Sequence, residues 1–182
     1  MLSLRGRLLL AGSQLRDPNF FKSVVLMVEH GTDGAMGLVV NRPTTKTVAE
    51  ALAGHFEIED RGEMVFQGGP VEPNALFIVH TAVDLDPLER PILPGLTVGG
   101  SAEVFEKVVR ASGEIRYRVF LGCAGWGSGQ LEGELARGDW LTAEANLDQI
   151  FGSDPYALWE SLTQKTFESH RIVPHTPHPE WN

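Results

Sequence analysis

The residues able to do chemistry are few and far apart in the chain. Cys123 is the only cysteine. It stands in LGCAGWGSGQLEGEL, Leu121 to Leu135, at the end of an apolar run and shortly before glycines that open a helix. A nucleophilic cysteine needs a histidine, a cation or a helix N-terminus to hold its thiolate. At a strand end a small buried hydrophobe is the commoner role, and CAGW is not the C-x-x-C of a thioredoxin-type site. The glycines fail three further tests. Counted from Gly127, a dinucleotide turn G-x-G-x-x-G requires glycine where Glu132 stands. No lysine follows for a P-loop. Trp126 and Gln130 occupy the glycine positions of a G-x-S-x-G elbow around Ser128. What remains is a close-packed turn whose outward N–H groups can take a small anion.

His30 and His80 each end an apolar strand, from which a side chain can reach a cleft. With Glu29, Asp33 or Asn41 such a histidine could form an acid–base or metal site. The H-E-x-x-H spacing is absent, however, and a satisfied structural histidine is the default. Arg42, in NRP between a strand end and a helix start, is the best single anion-binding candidate. His170, His175 and His178 lie among prolines that favour an extended segment over a preformed cage. No metal site and no cofactor is expected.

The elements that must position these residues follow from local pattern. Gly6–Gly12 reads as a first strand, and Asp17-Pro18 as the start of a short helical turn. Ser23–His30 is a buried strand returning through GTDG to a second, Ala35–Asn41. Arg42 before Pro43 is extended. TVAE from Thr47 is a capping box opening a helix to about Phe56. Strands follow at EMVFQGGPV and Asn74–Thr81, then a polar, proline-rich loop to Gly95. Ser101 caps a helix over Ala102–Ala111 with Phe105, Val108 and Val109 inward. EIRYRVFLGCAG is a strand with Arg116, Arg118 and Phe120 on a partly polar face. A helix over about Gly129–Arg137, the strand WLTAEAN and a helix from Asp154-Pro155, with Leu158, Trp159 and Leu162 on one stripe, complete the chain. Hairpins among irregularly spaced helices predict an α+β fold: one domain over 1–182, a mixed but largely antiparallel sheet with flanking helices, and an extended C-terminal tail over 169–182.

Composition narrows the function. Hydrophobic content of 42% against 21% charged excludes wholesale disorder. The apolar stretch near the N-terminus is too short for a signal peptide, no run approaches a membrane span, and a cytoplasmic protein without membrane contact is expected. The net charge of −9 is uneven: residues 1–50 hold six Lys/Arg against four Asp/Glu, the rest nine against twenty. An acidic majority repels a phosphate backbone. Direct nucleic-acid binding is therefore disfavoured, with the N-terminal third the only face for it.

Taken together, GRLLLAGSQLRDPNFFKSVVLMVEHGTDGAMGLVVNRP, FQGGPVEPNALFIVHT, LGCAGWGSGQLEGELARGDWL and IFGSDPYALWESL resemble the bacterial AlgH/YqgE family, in order and over nearly the whole chain. The resemblance implies an α+β fold, a cytosolic location and the nominal label of transcriptional regulator, with no catalytic residue established. The family commonly has tyrosine where Cys123 stands and proline where Ser13 stands, which weakens the nucleophile reading further. Three functional readings stay open. The first is a non-enzymatic binding or regulatory module that holds an unknown protein or small ligand. Its surface would comprise His30, Asn41, Arg42, Gly68, Gly69, Pro70, Gly125, Trp126, Gly127 and Gln130, with an exposed apolar patch at the Trp126 turn. The second is an enzyme with a strand-end pocket, His30 or His80 as acid–base and N–H groups near Gly127 as an anion hole. The third is the nucleic-acid binder.

Overall fold

The structure, a computed structural model, describes residues 3–171 apart from 83, 84, 87, 88, 90, 112 and 114. Among the described residues ten strands form one sheet. They are β1 (Arg7–Ala11), β2 (Val24–Gly31), β3 (Gly34–Val39), β4 (Pro43–Thr47), β5 (Met64–Gln67), β6 (Val71–His80), β7 (Pro91–Leu93), β8 (Leu96–Gly99), β9 (Tyr117–Gly127) and β10 (Trp140–Glu144). Five helices accompany them: α1 (Val48–Leu52), α2 (Ala102–Arg110), α3 (Gln130–Ala136), α4 (Leu147–Phe151) and α5 (Pro155–Arg171). The order is β10-β1-β2-β3-β9-β6-β8-β7, with β5 beside β9 and β4 beside β5. Only β5–β9 is parallel among the described pairings, so the sheet is mixed and largely antiparallel, as the sequence predicts.

Strand β9 is the hinge of this arrangement. Its C-terminal part pairs with β3, from Ala124 to Gly127, while its N-terminal part pairs with β6 and β5. The apolar strands are buried on both faces, which is why they read as runs rather than alternations. Leu8, Leu10, Leu26, Val79 and Phe120 pack on the inner face with Leu158 and Leu162 of α5. Leu9, Val25, Met27, Trp126 and Trp140 pack on the other face beneath Leu131 of α3. Val48 and Leu52 of α1 and Phe105, Val108 and Val109 of α2 cover Val65, Ile78 and Val119.

The Asp17-Pro18 segment makes the expected short turn, with Phe20 N–H on Asp17 O, and a second turn follows it, with Ser23 N–H on Phe20 O. Several sequence expectations need correction. The Thr47 capping box is present, but α1 stops at Leu52 rather than near Phe56. Three elements go beyond the sequence expectations: β4, the β7–β8 hairpin, whose first strand lies inside the expected loop to Gly95 and whose second lies just after it, and α4, whose Asn146–Gln149 capping box resembles the one at Thr47. Cys123 lies within β9, which continues to Gly127, and Phe120 is fully buried instead of half-polar. Helix α5 continues through 169–171, the start of the expected tail, since nothing disfavours helix before Val173 precedes Pro174. Residues 172–182, with His175 and His178, lie outside the described residues.

Candidate functional site

The ten residues singled out for a surface fall at three separate places. At the first, the β2–β3 hairpin tip lies against the end of β9, with Gly34 opposite Gly127 and the Ser128 hydroxyl donating to Thr32 O at 2.7 Å. The His30 side chain is only 3% exposed. Its Nδ1 accepts the Leu4 N–H at 3.0 Å, so its proton sits on Nε2, 2.9 Å from Glu132 Oε1. Both ring nitrogens are thus engaged in the neutral form. The Glu132 carboxyl is held below the usual carboxylate range by its own backbone N–H and by His30.

The glycine turn beside it is equally occupied. Gln130 Oε1 accepts the Gly127 N–H at 3.0 Å and its amide donates to Glu134 Oε1 at 3.0 Å. The other oxygen of Glu134 accepts both indole N–H groups, from Trp126 and Trp140, at 2.8 Å each. Those rings meet edge to face at 5.9 Å, and Phe20 contacts both. Trp126 is 6% exposed, so its ring is interior, and the exposed apolar patch expected at this turn is not formed by it.

At the second place, Asn41 and Arg42 bind backbone. Asn41 Oδ1 accepts the Val24 N–H at 2.8 Å and its amide donates to Lys22 O at 3.0 Å. Arg42 donates to Asn19 O and to Phe21 O, and burial lowers its pKa against the opposing effect of Asp17. Together they clamp the β1–β2 loop.

The third place is a backbone crossing. Gly68 N–H donates to Leu121 O at 2.7 Å, and Gly68 O accepts the Val39 N–H at 2.8 Å. A Cβ on Gly69 (φ 154°) would stand 2.2 Å from the Cys123 carbonyl, and one on Gly122 (φ 66°) 2.5 Å from Gly69 O. Pro70 completes this turn, and Gly125 faces Val71 just beyond it. The span of β3 from Gly34 to Val39 separates this crossing from the hairpin tip by about 17 Å. Cys123, 5% exposed, packs here, where burial and then Glu72 push its thiol pKa up. Nothing at this position stabilises a thiolate.

A different pair has unused polar atoms. His80 ends β6 between Thr97 of β8 and Tyr117 of β9 and is fully enclosed. Its Nε2 lies 3.3 Å from Glu89 Oε2, and among the described residues neither His80 Nδ1 nor Glu89 Oε1 has a hydrogen-bond partner. The Glu89 side chain is 9% exposed and forms part of the wall of a cleft of about 420 Å³, shared with Arg5, Glu29, Asp86, Gly99 and Ser101. A Cβ on Gly99 would stand 2.2 Å from Glu89 Oε1 and 2.7 Å from Val104 Cγ1, so the carboxylate packs directly on this glycine. Desolvation raises the Glu89 pKa; His80 opposes that and Asp86 adds to it. His80 was a sequence candidate. Glu89 was missed because it stands in the proline-rich loop, where nothing in its spacing links it to His80. About ten residues of β9 separate this cleft from Gly127, roughly 30 Å, so His80 and the glycine turn do not form one site.

Among the described residues no group of three His, Cys, Asp or Glu is placed to hold a metal ion, and no helix is long and apolar enough to cross a membrane.

Comparison with known proteins agrees with the architecture. The AlgH-like family model matches residues 8–170. A UPF0301 protein of Chlorobaculum tepidum is 37% identical over 177 residues, covering 94% of this chain and 91% of its own. One of Myxococcus xanthus is 40% identical over 165 residues, covering 88% and 90%. The solution structure of AlgH from Pseudomonas aeruginosa superposes with a TM-score of 0.78 at 29% identity, over 94% of this chain and 95% of that one. A crystal structure of a Corynebacterium diphtheriae protein shares the fold at a TM-score of 0.73 and 22% identity, over 91% and 87%. With the model spanning nearly every described element and the relatives aligned almost end to end, the chain belongs to the AlgH-like family.

Proposed function

We propose that the protein is a non-catalytic binding module, of the kind a regulatory protein uses, and that its ligand is a small molecule carrying an amino or other cationic donor group. The observation that carries this reading is the Glu89 carboxylate, nine-tenths buried in the cleft wall with Oε1 unmatched. Buried polar atoms are rarely left without a partner, and a turn of the Glu89 side chain from Gly99 into the cleft would bring Oε1 to a ligand donor. Glu29, Asp86 and Glu89 outnumber Arg5 in the lining of this cleft, which favours a cation, and Gly99 borders both the carboxylate and Val104. The residues His30, Asn41, Arg42, Trp126 and Gln130 support it less, since their polar atoms already serve the scaffold. Direct reading of DNA fits poorly with a net charge of −9 and an arginine, Arg42, committed to a loop.

Calorimetry with a panel of monoamines, diamines and amino acids tests the proposal. A member of the panel should bind the wild-type chain and bind Glu89→Gln at least about tenfold more weakly, as expected for loss of a charge-assisted hydrogen bond. Absence of binding by every amine, or equal binding by both proteins, would overturn it. A second reading rests on the 3.3 Å approach of His80 Nε2 to Glu89 Oε2, an acid–base pair for catalysis on a ligand in the same cleft. It ranks second because His80 is fully enclosed; turnover of a bound ligand that is lost in His80→Gln would promote it.

A further inference from the structure

Among the described residues Arg118 is a charge without a counter-charge. It lies on the inner face of β9, where Nη1 donates to Val40 O at 3.2 Å and the guanidinium sits 4.0 Å from the Phe66 ring centre. Burial lowers its pKa to about 10, and no carboxylate opposes the shift. Arg7, Arg110 and Arg137, by contrast, each face an acid. A guanidinium offers five N–H donors, and here one is used by protein. Removing such a group from water without an anion is unfavourable, so its retention calls for a reason beyond packing.

Its surroundings supply one. A groove of about 300 Å³ runs along this edge of β9, lined by Arg61, Arg116 and Arg118 with Glu63, Tyr117 and Phe151. The edge is open because β5 joins β9 only at Phe120 and Leu121. Glu63 is occupied by the Tyr117 hydroxyl. The acids that meet the other two arginines are solvent-facing: Asp148, 3.3 Å from Arg116, is 91% exposed, and Glu59, 3.8 Å from Arg61, is 82% exposed. Exposed pairs of this sort are weak and easily exchanged. Arg116 also lies over the Phe151 ring at 5.4 Å, so the Arg118 and Arg116 guanidinium groups are both held against aromatic faces, ready for a bidentate acceptor. Three arginines and one acid, Glu63, line the groove in a chain of net charge −9, while Glu59 and Asp148 stand outside its lining.

We propose that this groove is a second ligand site, taking the phosphoryl group of a small molecule with Arg118 at its floor and Arg116 and Arg61 at its rim. A phosphoryl group offers the several acceptor oxygens that forked guanidinium donors match. The site is independent of the Glu89 cleft. Arg118 pairs with Val79 across the sheet and shares its inner face, whereas His80, one residue on, pairs with Tyr117 and turns to the opposite face.

Calorimetry at low ionic strength on the full chain, with inorganic phosphate, pyrophosphate, citrate and a short single-stranded oligonucleotide as probes, tests it. Pyrophosphate should bind one to one, weaken at least about tenfold in Arg118→Gln and about three- to tenfold in the exposed Arg116→Gln, with the Tm of Arg118→Gln unchanged or raised. No pyrophosphate binding, or binding unaltered in both variants, would overturn the site. A fall in Tm for Arg118→Gln with unchanged affinity would make Arg118 a structural residue. Equal binding of citrate would overturn the phosphoryl assignment, and preference for the oligonucleotide would overturn the small-molecule one.

Discussion

Glu89 and Glu134 show how one residue type takes opposite roles in this chain. Glu134 is saturated: two indoles and Gln130 fill its oxygens, and it serves as the acceptor around which the Trp126–Trp140 pair is built. Glu89 is enclosed yet unsaturated, and burial raises its pKa. The sign of the consequence is fixed. A carboxyl with a folded pKa above its unfolded value holds its proton longer in the native state, so stability falls as pH rises from the ordinary carboxylate range towards that raised value. The neighbours that tune this group are His80 and Asp86. Thermal melts across pH should therefore find Glu89→Gln more stable than wild type at neutral pH, with the two curves converging near about pH 4, where both groups are uncharged. A variant less stable at neutral pH would show that ionised Glu89 holds the fold together. At this scale the sequence was legible for Cys123, whose strand setting and failed motifs pointed to a buried thiol. It was not legible for His30 or Glu89, because the partners, Leu4, Glu132 and His80, are brought to them by sheet pairing across long separations.

Among the elements, the glycine signatures owe their residue type to backbone proximity. The Gly68–Pro70 turn crosses β9 where Gly122 already has a positive φ, and neither strand has space for a Cβ at the contact. Gly69→Ala should cost about 3 kcal/mol or more, combining a disfavoured φ with a backbone clash. Thr47→Ala, which removes one N-cap acceptor from α1, should cost only about 1 kcal/mol. Urea unfolding of the two variants side by side measures the contrast, and similar losses would argue against the crossing as a rigid joint. Helices with local signatures, the Thr47 and Ser101 caps and the apolar face of α2, were readable from sequence. The short strands β4 and β7 were not, because a three- to five-residue strand beginning with proline gains its identity from its neighbour's hydrogen bonds. Phe120 was misread for a related reason. A strand covered on both faces breaks the alternation that would assign each side chain.

For the whole molecule, a sheet covered on one side by α1, α2 and α3 and on the other by α5 leaves its openings at strand ends and at the free edge of β9. The Glu89 cleft and the Arg118 groove occupy two of them, with opposite charge. The α+β class and antiparallel bias were visible in hairpin and helix signals, and the four long sequence blocks pointed to the family. The joining of two sheet halves through β9 was not visible, since nothing local in an eleven-residue strand states which partners take each end. Backbone-amide NMR of the labelled chain, titrated with the amine that binds in calorimetry, shows whether Glu89 stands at a binding site. A binding module with Glu89 at its site gives saturable shifts concentrated at Val28, Glu29 and Val98–Ser101, absent from the same titration of Glu89→Gln. Shifts centred on the Gly125–Gln130 turn, or no saturable shifts at all, would contradict it.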